Sequence, residues 1–383
     1  GPAARRAAPR MTGVRPVLDG HNDLLWELRM RGGYDFDAVD VGVVQPEIHT
    51  DVPRLRAGGV GAQFWSVWVP CDGPVPAVRP GAAAPDPVAA TLEQIDAAYA
   101  MIARYGKDLV LATTADDVER AFAAGRIASL LGAEGGHQIG GSLGVLRVLH
   151  RLGVRYLTLT HVRNTDWADS ATDEPVHGGL TDFGRTVVRE MNRLGMLVDL
   201  SHTAASTMHD ALDVSTAPAF FSHSNARALC SHPRNVPDDV LTRVRDTDGV
   251  VMLTFVPGFL TEECHAWMDA YQVEEERLGH DDRAGRDAWL DAHPRPPCSV
   301  TDVADHVDYV RDVAGVRAVG LGGDFDGMNS PPDGLTDVSG YPRLLAELAD
   351  RGWSESELSG LASDNVLRVL RDTQAAATAG PHG

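Results

Sequence analysis

Apolar and polar positions alternate in blocks along this chain. Continuous apolar runs stand at Val14–His21, Val60–Val69, Ile127–Glu134, Val154–His161, Met196–His202, Ala219–His223, Val250–Phe255 and Ala318–Asp324. Short runs of this kind, bounded by turn residues, read as strands buried on both faces. Between them the period changes to that of a helix. Pro87–Tyr105 carries Leu92, Ile95, Ala98, Tyr99 and Ile102 at helical spacing, and Thr181–Leu194 carries Phe183, Val187, Val188 and Met191. Thr301–Val313 opens on Thr301 as a cap and continues with Val303, Val307 and Val310. Strands alternating with helices imply a parallel sheet. Eight such units in 383 residues predict an α/β fold, a closed (β/α)8 TIM barrel. An open doubly wound sheet is the alternative.

Three segments depart from this rhythm. Gly73–Pro87 is rich in Pro, Ala and Gly and reads as a surface loop. Thr261–Pro297 is charged and helical in pattern, with Trp267, Tyr271 and Trp289. It reads as a helical insertion after strand seven (residues 261–297), either a lid over the active-site face or a solvated excursion with no part in substrate handling. Tyr341–Leu370 reads as two amphipathic helices covering the barrel. The expected organisation is one domain over 14–372, between flexible segments at 1–13 and 373–383.

A barrel of this kind does its chemistry where the strands end, and that is where the metal-binding residue types fall. Asp19-Gly20-His21-Asn22-Asp23 closes the first run. His21 and Asp23 are two residues apart, so on a strand they point the same way, an imidazole nitrogen beside a hard carboxylate oxygen, which suits zinc. A plain His–Asp hydrogen bond is the alternative for that pair alone. The same placement recurs with Glu134, His161, His202, His223 and Asp324. Gly322-Gly323-Asp324 could equally be a turn closed by an Asx bond. Arg234 could pair with Asp238, or use its planar fork on a substrate carboxylate. His137 reads as either a residue orienting a ligand or a buried structural histidine, and Asp326 as structural.

Composition narrows the partners. With 54 acidic against 34 basic residues the net charge is −20, which argues against nucleic acid or an anionic membrane and favours metal cations in an acidic cleft. No apolar stretch is long enough to span a membrane. Cys71, Cys230, Cys264 and Cys298 show no Cys-x-x-Cys spacing, so a cysteine-ligated zinc site is not expected. Free thiols suit a reducing, cytoplasmic compartment, with a Cys230–Cys264 bridge as the alternative. The first ten residues lack the apolar core of a secretory signal.

Taken in order, Asp19-Gly-His-Asn-Asp23, Glu134-Gly-Gly-His137, Tyr156-Leu-Thr-Leu-Thr-His161, Val198-Asp-Leu-Ser-His202, Phe221-Ser-His-Ser224, Arg234-Asn-Val-Pro-Asp238, Gly322-Gly-Asp-Phe-Asp-Gly327 and the tail Leu361–Leu370 resemble the renal (membrane) dipeptidase family of zinc hydrolases. The resemblance implies two Zn2+ per chain in a barrel. His21 and Asp23 would hold one ion, His202 and His223 the other, and Glu134 both. His161 would contact the scissile carbonyl, Arg234 the substrate carboxylate, and Asp324 would handle protons. It implies hydrolysis of L-L and L-D dipeptides by a hydroxide shared between the metals, and a homodimer. The insertion is longer than the mammalian pattern, and no apolar C-terminal tail of the kind that precedes a lipid anchor is present, so a bacterial member without a membrane anchor is expected. A metal-dependent amidase that opens β-lactams, or a metal-holding barrel without catalysis, are the rival readings.

Overall fold

The computed structural model describes residues 13–278 and 282–378. Its strands are β1 (Val17–Asn22), β2 (Val60–Ser66), β3 (Leu109–Leu111), β4 (Ile127–Glu134), β5 (Val154–Thr158), β6 (Leu197–Asp199), β7 (Phe220–Phe221), β8 (Val250–Leu253) and β9 (Val319–Leu321). All pair in parallel. β2 reaches across to β4 and β9 returns to β1, which closes β1-β2-β4-β5-β6-β7-β8-β9 into an eight-stranded barrel. The eight runs expected from the sequence are the eight staves.

The ninth strand, β3, was not expected. It pairs with the first half of β4 (Leu109↔Ile127), along the edge that β5 begins to cover only at Leu131↔Val154. Three residues are too few to carry a readable period. Most staves are shorter than their apolar runs. β5, β6 and β9 end three residues before His161, His202 and Asp324, so those side chains stand on the first turns beyond the sheet.

Leu18, Phe64, Leu130, Tyr156, Phe220 and Met252 fill the barrel, and Val366, Leu367, Val369 and Leu370 join them from the last helix. That helix seals the end where the strands begin: Asn365 Nδ2 donates to the carbonyls of Val316 and Val319 at the entrance to β9. A second cluster fills the layer between strands and outer helices.

The helices at Pro87–Arg104 and Asp182–Leu194 match expectation, and Thr181 caps the second. The helix Val300–Ala314 is capped by Ser299, not Thr301. Asp302 reaches back to the Ser299 N–H, a capping box the sequence carried as Ser-x-x-Asp. At the C-terminal side, Tyr341–Asp350 is followed by Glu355–Ser359, a π-turn at Gly360–Asp364 and Asn365–Ala375. The last helix passes the expected boundary at 372, and Thr373 beyond it is buried. The segments expected to be flexible lie largely outside the described residues (1–12 and 379–383), as do His280 and His382.

The insertion follows β8, the seventh stave, as two helices, Glu262–Leu278 and Arg283–Ala292. All four cysteines are free, so Cys230 and Cys264 do not pair. The Cys230 thiol faces the Gly258 carbonyl and that of Cys264 the Pro296 carbonyl.

Candidate active site

The acids and imidazoles singled out at the strand ends meet over the barrel mouth. Glu134, at the end of β4, stands in the middle, and its two oxygens face different neighbours. Oε2 lies 3.3 Å from His21 Nε2, which is itself 3.3 Å from Asp23 Oδ2 and 3.8 Å from Asp324 Oδ1. Oε1 lies 2.9 Å from His202 Nε2 and 3.3 Å from His223 Nε2, with those two nitrogens 3.2 Å apart. His161 Nε2 is 4.0 Å from the same Oε1.

The backbone is bent to achieve this. Among the described non-glycine residues, His202 (φ 66°) and Asp324 (φ 62°) are two of five in the left-handed region, a cost that a surrounding structure must hold in place. Gly322 carries no side chain because a Cβ there would sit 2.0 Å from the Ser222 carbonyl, where β9 and the turn after β7 touch. Asp19 ties the same strands together. Its carboxylate accepts from the N–H groups of His21 and Gly323, from Gln63 and from Tyr341.

Arg234 arrives from the loop after β7. It does not pair with Asp238, which instead accepts from Tyr309. Its guanidinium donates to Ser224 Oγ (3.2 Å) and the His223 carbonyl (2.9 Å) and lies over the Phe259 ring at 5.2 Å, while Nε has no partner. Among the described residues it makes no ion pair, although it is 2% exposed. Burial lowers its pKa to about 10, so it stays charged at neutral pH. Arg234, Glu134, Asp23 and Asp324 line one cavity of about 670 Å³, walled outside by the insertion.

A family model for membrane dipeptidases, peptidase family M19, matches residues 5–382. This chain belongs to that family. It is 44% identical over 365 residues to the dipeptidase aclJ of Aspergillus oryzae, covering 94% of this chain and 78% of that protein. It is 42% identical over 369 residues to the dipeptidase tcpJ of Claviceps purpurea, covering 95% and 78%. Among solved structures, a metallopeptidase from Rhodobacter sphaeroides, liganded with a phosphinate mimic of the dipeptide L-Ala-D-Ala, is 28% identical. The match covers 94% of this chain and 99% of that one, with a TM-score of 0.75. The chain is therefore a metallo-dipeptidase of the hydrolase class, and its substrates are small peptides.

Metal ions fit the donor set of this dipeptidase. A tetrahedral ion with bonds of about 2.0–2.1 Å spaces its donors about 3.3 Å apart, close to the separations on both sides of Glu134. His21 Nε2 and Asp23 Oδ1 are buried without hydrogen-bond partners. Burial opposes charge on His21, while Glu134, Tyr156 and Asp23 raise its pKa above the ordinary value, so the acids around Nε2 favour positive charge there. The imidazoles are also aimed. Tyr156 gives its proton to the Gly20 carbonyl (3.1 Å), so it accepts from His21 Nδ1 (2.8 Å) and leaves Nε2 a lone pair. Ser222 donates to Asp199 (2.5 Å) and accepts from His223 Nδ1 (2.8 Å), with the same result.

Tyr156, Ser222 and Asp199 were missed as functional candidates although all three lie within or beside the quoted motifs. Their signal would have been a polar residue on an inward strand position. His137 is structural: Nε2 donates to the Val69 carbonyl (2.9 Å) and joins the loops after β2 and β4. Asp326 is structural too, exchanging hydrogen bonds with His49 (2.7 and 3.0 Å). No helix among the described residues is long and apolar enough to cross a membrane.

Proposed function

We propose that this chain hydrolyses the single peptide bond of dipeptides with two zinc ions, one held by His21 and Asp23, the other by His202 and His223, and both by Glu134. The observation that carries the reading is the buried Arg234, without an ion pair among the described residues, beside a carboxylate whose two oxygens face two separate donor groups. When bound, such ions lower the pKa of water and polarise a carbonyl oxygen.

The protein's own groups do the rest. Arg234 takes the free carboxylate of the substrate, which selects very short peptides and places the scissile bond over Glu134. Asp324 accepts a proton from the attacking water and passes it to the leaving amine. Burial, with Asp23 and Glu134 nearby against the pull of His21 and Arg234, holds its carboxyl above the usual range, so the cluster lets this acid exchange a proton more readily than a surface aspartate. Burial, with His137 and Arg234, brings His161 down to about 3. His161 is therefore neutral, and with Nδ1 facing the Cys71 thiol at 3.8 Å it can donate from Nε2 to the developing oxyanion. Recognition through the carboxylate supports acceptance of L-D as well as L-L dipeptides, in line with the mimic held by the Rhodobacter relative.

The test is elemental analysis of the purified protein together with a panel of L-L and L-D dipeptides and a carbapenem. About two zincs per chain with dipeptide turnover is the expected result. Carbapenem turnover alone, or bound metal with no turnover, would refute it.

A further inference from the structure

We infer that the insertion helix Glu262–Leu278 receives the side chain of the substrate residue that bears the free carboxylate, and that the enzyme favours dipeptides whose C-terminal residue is large and apolar. This rests on the dipeptidase reading above and adds to it a named specificity wall.

The geometry starts at Arg234. With the carboxylate on Arg234 and the scissile bond over Glu134, the C-terminal residue spans the two anchors, and its side chain leaves the backbone between them. What stands there is the Phe259 ring under the guanidinium and, one residue before it, Gly258. Met268 of the insertion packs so closely on Gly258 that a Cβ at that position would lie 2.6 Å from its sulfur and methyl. Trp267 and Tyr271 continue the surface, and both line the cavity with Met268. The wall thus begins beside the carboxylate anchor.

It is also held at a fixed distance from that anchor. Glu262, opening the insertion helix, accepts from the N–H (2.6 Å) and hydroxyl (2.9 Å) of Ser231 on the Arg234 loop. The His265 ring meets that of His232 edge-on at 4.6 Å, and His232 Nδ1 accepts from the Arg234 N–H (3.0 Å). From behind, Trp267 Nε1 donates to the His293 carbonyl (2.7 Å), the Trp267 and Tyr271 rings lie parallel at 6.0 Å, and Trp289 backs Tyr271 at 5.6 Å. Two rings braced in this way are a preformed contact surface for an apolar group. The space agrees: a dipeptide of two alanines fills roughly 200 Å³ at protein packing density, well under the cavity of about 670 Å³. With alanine at the C-terminal position the wall stays wet.

The experiment compares kcat/KM for L-Ala-L-Phe and L-Ala-L-Ala in the zinc-loaded wild type, in the Met268→Ala/Tyr271→Ala double variant, and in Val273→Ala. Val273 lies on the exposed outer side of the same helix and controls for damage to the helix itself. The expected wild-type ratio favours Phe by about 10-fold or more, as pocket contacts of this kind allow. The ratio should fall toward one in the double variant, mainly through KM, and hold in Val273→Ala. A wild type without preference, or a ratio unchanged in the double variant while dipeptides are still cleaved, overturns the wall alone. No cleavage of either dipeptide by the zinc-loaded wild type overturns the dipeptidase reading and the wall with it.

Discussion

At the barrel mouth the clustered imidazoles and acids are buried and cross-braced: His21 is 0%, His223 1% and Glu134 3% exposed. In the insertion above them, the helix Glu262–Leu278 has Cys264 as its one buried residue, and among the described side chains of Arg283–Ala292 none is buried. The two regions face the same cavity from opposite sides, yet only one is part of the core. A reacting centre needs donors held within a fraction of an ångström, which dense packing supplies. A wall that meets substrate side chains needs shape and apolar area and can be built as an appendage. Such an appendage can change sequence with little cost to the barrel.

The comparison is sharpest in catalysis. Asp324→Asn should lower kcat by about 10²–10⁴-fold, the usual share of a general acid–base group, with metal content at the wild-type level. Loss of metal in that variant would make Asp324 a structural support for the ions, and the mouth would lose its proton carrier. Stability should divide the same way. Phe64, fully buried between Tyr156 and Phe220 inside the barrel, should cost about 3–5 kcal/mol when cut to alanine. Trp289→Ala in the half-exposed insertion should cost about 1 kcal/mol or less in urea unfolding. Equal costs would show the insertion to be core after all.

A smaller effect probes the brace behind one imidazole. Tyr156→Phe deprives His21 Nδ1 of its acceptor, and metal affinity should fall by about 10–100-fold in competition with a chelator, the usual cost of such a partner. The smallest effect lies where the two regions join. Burial, with His265 and Arg234, lowers His232 to about 3. In the unfolded chain it takes a proton near its ordinary value, about 6.5. Below that pH the unfolded state binds more protons, so stability is full above about 6.5 and declines steadily toward pH 3. His232→Asn should make the slope of unfolding free energy between pH 4 and 6 shallower by up to about one proton. An unchanged slope would mean that His232 is not shielded by the insertion.

The barrel and its mouth were readable because period and placement repeat. Each stave is an apolar run, and the metal-binding residue types follow the C-terminal ends, so the clustering of His21, Glu134 and His202 could be read from position. What stayed hidden was defined by partners distant in sequence. Tyr156 matters because its ring spans the barrel to His21, 135 residues away. Arg234 was legible as a candidate, but its burial with no counter-ion among the described residues is a property of the folded chain. β3 escaped because three residues show no period. That the insertion packs Met268 against Gly258 and walls the cavity is a long-range contact with no local pattern to announce it.

Asp19 has a consequence for the order in which the chain is made. Its carboxylate is fully buried and is satisfied partly by Gly323 and Tyr341, 304 and 322 residues later. β1 likewise meets β9 and the turn that follows it, at Asp19↔Leu321 and Asn22↔Phe325. During synthesis the first stave therefore waits, with one edge unpaired and a charge it cannot yet bury, until most of the chain has left the ribosome. A nascent chain of this design carries an open strand edge until its last strand arrives, the kind of edge through which incomplete chains associate.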